Sequence, residues 1–166
     1  MAVTGKIDRK YMAHYIDAGS LCGGLTPKYE RLGKDLEEYN VELNPDTETS
    51  KNILGESTFK HNGYEVSSDA DPFYADTTSD LFTALQKIVD GRLKDDNLKT
   101  KAVEVHLWTE ATAGKYEAYQ QDCYVVPTSY GAIHPAIRFR LPLTMLANVS
   151  KENFDISSGT FTADSE

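Results

Sequence analysis

Only one stretch of this chain has the spacing of an α-helix. In TTSDLFTALQKIVDGR, Leu81, Phe82, Leu85, Ile88 and Val89 fall on a single apolar face. Ser79 is placed to cap its start, Asp80 lies in the first turn and Gly91 reads as the stop, so the spacing predicts a helix over about 79–90. The remainder reads as strand. In KAVEVHLWT, Val103, Val105 and Leu107 alternate with Glu104, His106 and Trp108, the period of a half-buried strand. YEAYQQDCYVVP is rich in aromatic and β-branched residues and ends at Pro127. AIRFRLPL alternates Ile137, Phe139 and Leu141 with Arg138 and Arg140, and FDISSGTFTAD can supply a last edge strand. In STFKHNGYEVS, Asn62-Gly63 predicts a tight hairpin turn. The chain is therefore expected to be mainly β with one α-helix, a closed or nearly closed sandwich or barrel with the helix packed on the sheet.

With 166 residues and no linker-like run, a single domain over 1–166 is expected. An apolar fraction of 40% and a mean hydropathy of -0.48 imply a modest private core, or apolar contact completed by partners. The net charge of -9 argues against gripping a nucleic-acid backbone, which needs clustered Lys and Arg. It is compatible with standing near DNA and repelling it. Cys22 and Cys123 are far apart and form no metal-like spacing, so two reduced thiols are expected. The amino-terminal stretch has no continuous apolar core and no apolar run approaches a membrane span, so neither conventional export nor membrane insertion is expected.

The least globular segment is LGKDLEEYNVELNPDTETSKNILGE, residues 32–56, with seven acidic residues against two lysines. Within it Tyr39, Val41 and Leu43 alternate with Glu38, Asn40, Glu42 and Asn44, predicting a strand with one apolar and one acidic-polar face. A turn is predicted at Asn44-Pro45-Asp46, with the chain returning through Ile53 and Leu54 to Gly55. This reads as an extended hairpin or arm at about 44–54.

Motifs that carry reaction chemistry are mostly missing from the sequence. Phosphate-binding glycine loops, a dinucleotide fingerprint, HExxH and the GxSxG elbow do not occur. Ser129 and His134 are close in sequence, but a nucleophile also needs an orienting acid and an oxyanion hole, so a structural turn is the favoured reading. Asp69 and Asp71 form a DxD that a loop explains as well as a divalent cation does. Asp35, Glu37 and Glu38 offer carboxylates, yet neighbours on a strand point to opposite faces, and a solvated or lumen-facing acidic row is preferred to a glycosidase pair. His14, His61 and His106 have no ligand spacing. Trp108 is either a second-core residue under the helix or an anchor at a subunit contact. No catalytic residue, metal or cofactor is expected.

Three segments in order, LGKDLEEYNVELNPDTETSKNILGE, HNGYEVSSDADPFYADTTSDLFTALQKIVDGR and GKYEAYQQDCYVVPTSYG, make the chain resemble the major tail (tail tube) proteins of long-tailed bacteriophages and prophages of Gram-positive bacteria. The resemblance covers about residues 32–131. It implies a β-sandwich or barrel with a flanking helix, subunits in hexameric rings, and rings stacked into a tube that conducts DNA during ejection. It also implies an acidic lumen, with Glu38 and Glu42 as lumen-facing acids, and an arm carrying Asn44, Pro45, Asp46, Glu48 and Lys51 between subunits or rings. The implied partners are copies of itself and the tape-measure, tail-terminator and baseplate proteins; DNA passes without specific binding, and no membrane is involved. The implied location is the virion tail, after assembly in the bacterial cytoplasm. Some tube proteins carry a carboxy-terminal immunoglobulin-like domain, and none is expected here. The alternatives are a finite-ring tail component or secretion-tube protein of the same fold, and a ligand-binding β-sandwich.

Overall fold

The computed structural model describes residues 3–34, 36, 38–133 and 136–162. In chain order its elements are β1 (Met12–Asp17), β2 (Tyr29–Leu32), β3 (Val41–Glu42), β4 (Pro45–Lys51), β5 (Ser57–Tyr64), β6 (Ser67–Tyr74), α1 (Asp80–Gly91), β7 (Lys99–Thr112), β8 (Lys115–Val125), β9 (Ser129–Ile133), β10 (Ala136–Asp155) and β11 (Thr160–Thr162). The protein is mainly β with one α-helix. Its main sheet runs β2-β1-β7-β8-β10-β6-β3, with β9 and β11 also paired to β10, and every pairing is antiparallel. Strands β4 and β5 form a separate two-stranded ribbon.

Alternation along the strands loads both faces of the sheet. On one face Ile16, Ala102, Val125, Leu141 and Leu143 pack against Leu81, Leu85 and Ile88 of α1. On the other, Ala13, Tyr15, Val103, Val105, Ala118 and Phe154 form a second core. Tyr29 and Phe161 close it, meeting the Phe154 ring edge-on at 5.9 and 5.1 Å. Each fully buried aliphatic or aromatic side chain contributes about 1.5–3 kcal/mol. Strand β10 serves both cores, and its register against β8 breaks between Met145 and Val149, where a bulge lets one long strand bend from one core to the other.

The sheet also curls. Tyr39 lies with its ring 4.5 Å from that of His14 in β1, while its hydroxyl is 2.8 Å from Ser68 Oγ in β6. In a flat sheet β1 and β6 would stand about 19 Å apart, at about 4.8 Å per strand. One tyrosine touching both requires strong curvature. Among the described residues β2 and β3 do not pair, so the curl stops short of a closed barrel and the segment around Tyr39 fills the seam.

Helix α1 is secured at its start from the sheet. Ser79 Oγ accepts from Phe82 N at 3.1 Å and itself donates to Glu30 Oε1 at 2.6 Å, while Leu81 N donates to Glu30 Oε2 at 2.9 Å. A carboxylate from β2 thus satisfies a free helix N–H and complements the helix dipole. The stop lies one residue later than expected. Gly91 is the last helical residue, and Arg92, at φ 48°, takes the left-handed cap while its N–H returns to Ile88 and Val89.

Two further sequence expectations are corrected. The strand expected over 38–44 is reduced to Val41–Glu42, because Tyr39 is drawn into the seam and Asn44 turns the chain at φ 42°. Asn62-Gly63 makes no turn. Asp46 pairs with Gly63 and Thr47 with His61, so Asn62 is the extra residue of a bulge inside β5, with Gly63 supplying φ 134°.

Candidate functional site

The ribbon is the feature with no counterpart in an ordinary compact domain. Strand β4 is exposed throughout and β5 nearly so. The two are held in register from Pro45↔Tyr64 to Lys51↔Ser57 and reach about 23 Å from the body at about 3.3 Å per residue. The expected arm of 44–54 is therefore only its outgoing strand and tip; the return runs to Tyr64. At the tip Asn52 Oδ1 accepts from Leu54 N and Glu56 N, and Gly55 takes φ 82°. This turn holds Ile53 and Leu54 outward, Ile53 fully exposed and Leu54 at 78%. Phe59 is 67% exposed on β5.

At the root, Asn44 fixes where the ribbon leaves the body. Its carbonyl accepts from Glu65 N at 3.2 Å, and its side-chain amide donates to Glu65 O and Ser67 Oγ, both at 3.0 Å. Beside this root lies a groove of about 470 Å³ whose exposed lining is mostly apolar. Its walls include Tyr39, Leu43, Tyr64, Tyr119, Met145 and Val149. The bulge of β10 places Val149 here, and Leu43, Tyr64 and Val149 are all more than half exposed.

His14 and Glu104 also line the groove. His14 is buried, and that burial pushes its pKa down to about 4; Glu104 opposes the shift, and Arg9 and His106 add to it. Glu104 Oε1 is 2.7 Å from His106 Nε2, and the His106 ring stacks on Trp108 at 4.2 Å. Trp108 belongs to neither core, so the expectation that places it beneath α1 is set aside; it is half-buried on the face of β7 opposite Val103 and Val105.

Glu38 and Glu42 come together, exposed, in an open cleft with Asp69, Asp71 and Arg140. Arg140 Nε and Nη2 donate to Asp69 Oδ2 at 3.1 and 3.0 Å, and Asp71 lies 3.9 Å from the same guanidinium. The DxD is thus answered by an arginine. Among the described residues no group of three or more His, Cys, Asp or Glu is arranged to hold a metal ion. Of the ribbon residues Pro45, Asp46, Glu48 and Lys51, all lie exposed on β4. Ser129 opens β9 opposite Arg140, while His134, Asp35 and Glu37 lie outside the described residues. Cys22 and Cys123 are free thiols, the second buried with its pKa pushed up to about 12 by burial.

Sequence reasoning missed the groove, whose lining is gathered from segments remote in the chain. It also gave no role to the tip, although an adjacent Ile and Leu before a glycine in a polar stretch was a visible signal. No helix is long and apolar enough to cross a membrane. The chain is thus a mainly-β protein with one α-helix that projects a solvent-exposed two-stranded ribbon. No family model and no curated protein matches the chain.

Proposed function

We propose that this protein is a structural subunit that assembles with copies of itself into stacked rings, forming a phage tail tube through which DNA passes. The carrying observation is the ribbon: a two-stranded hairpin alone in water is marginally stable, yet this one holds seven-residue β4 away from the body with Leu54 and Phe59 largely exposed. A partner surface resolves that conflict. Among the described residues the ribbon also leaves one edge of each strand unpaired, a template for pairing with another chain. The curled sheet presents a cleft with four carboxylates, Glu38, Glu42, Asp69 and Asp71, against one guanidinium, Arg140, and the net charge is -9, both suited to a wall that repels passing DNA. The order of sequence segments that resembles tail tube proteins supports the specific form of the assembly.

Negative-stain electron microscopy of the purified chain, across salt and concentration, tests this reading. Rings and tubes are expected, and tube length separates a tube subunit from a finite-ring component. Monomers under all conditions would overturn it.

A further inference from the structure

We propose that the ribbon tip of one copy docks its Ile53 and Leu54 side chains into the groove at the ribbon root of a second copy. This rests on the self-assembly reading above and names the surface that receives the ribbon. A void of about 150 Å³ admits a six-carbon ring. The groove, at about 470 Å³, has room for two four-carbon side chains and the turn that carries them. Its exposed walls, Leu43, Tyr64 and Val149, are apolar and more than half exposed, matching the chemistry of the tip. The occupant has to come from another molecule. Tyr64 at the groove pairs with Pro45, the first residue of the ribbon, and the ladder from there to Lys51↔Ser57 keeps the chain's own tip about 20 Å away.

Each copy therefore carries one projection and one receptor on different surfaces. Such a contact is heterologous and propagates as a ring or a filament rather than ending at a symmetric pair. The asymmetry makes the contact directional, residue 54 of one chain meeting residue 149 of another.

The test mixes two variants that each add one cysteine, L54C and V149C, under mild oxidation, with each variant alone and the wild-type chain as controls for the native thiols, half-buried Cys22 and buried Cys123. A disulfide-linked dimer is expected in the mixture at several times the yield of any control. In parallel, a double variant I53D/L54D, verified as folded by circular dichroism, is expected to raise the concentration needed for assembly at least about tenfold, since two aliphatic side chains lose their burial in the contact. Both results are required. Wild-type tubes with no excess of mixed disulfide, or with unimpaired assembly of the double variant, overturn tip docking and leave the tube reading standing. Mixed disulfides in oligomers that never form rings uphold tip docking and overturn the tube reading. A monomeric wild-type chain whose groove binds anilinonaphthalene sulfonate, with binding lost in V149D, assigns the groove to an apolar ligand and overturns both.

Discussion

His14 is enclosed where the curled sheet meets itself, and its burial makes acid a destabilising agent. Its folded pKa is about 4, against about 6.5 in an unfolded chain, so on acidification the unfolded chain takes the proton first. Stability tied to His14 is complete above about pH 6.5, declines as pH falls toward 4, and is then exhausted. The full loss is on the order of 3 kcal/mol. The groups facing it are Glu104 and His106 of β7, Arg9 and Tyr39, and Glu104 alone favours the charged ring. Urea midpoints from pH 7.5 to 4.5 are expected to fall in the wild-type chain and to fall much less in H14Q; parallel slopes would refute this. Half-buried Asp76 responds lower in the scale: hydrogen bonds from Thr78 and Lys34 hold its carboxyl well below the usual range, so its contribution disappears only in stronger acid. Ser79 acts on the helix. Removing its cap in S79A is expected to cost about 1 kcal/mol, read as a lower urea midpoint with unchanged slope.

At the scale of elements, the ribbon and the body are separable. Asn44 and Glu65 already exchange hydrogen bonds across the root, so two glycines replacing residues 45–64 close the chain with a tight turn. That variant is expected to keep both cores, with a thermal midpoint within a few degrees of the full chain, and to form no tubes. Tubes from the ribbonless chain would remove the ribbon from assembly. Hydrogen exchange gives the complementary reading: amides of β4 and β5 exchange near the intrinsic rate in unassembled protein and become protected on assembly, whereas those of β7 and β8 are slow in both.

The body is expected to unfold as one cooperative unit, because its two cores share strands. Strands β1, β7, β8 and β10 each contribute to both faces of the sheet. L85A in one core and F154A in the other are each expected to cost about 2–5 kcal/mol. Fluorescence of Trp108, the single tryptophan, and far-ultraviolet circular dichroism should report one coincident transition in both variants; separate transitions would show independent cores. At the same scale, the charge of -9 predicts no retention on immobilised duplex DNA at moderate salt, whether the protein is assembled or free.

Local patterns along the chain are enough to set the class of the fold and much of its inner lining. Period-two alternation marked Val103 and Val105 for burial, and it marked Phe139 and Leu141 likewise; the spacing of Leu81, Leu85 and Ile88 marked the face of the only α-helix among the described residues. These patterns are local, repeating over a few residues, and a local pattern is legible from a chain alone. Tertiary structure decided the rest. Alternation reaches Tyr39 as well, but only the curvature of the sheet places that side chain between His14 and Ser68 and shortens the strand around it. Asn62-Gly63 has the dihedral freedom for either a turn or a bulge, and its position inside a seven-pair ladder made it a bulge. The groove was hidden for the same reason: Leu43, Tyr64, Tyr119 and Val149 meet only after the strands carrying them have paired and bent. Long-range contact, not propensity, sets such sites.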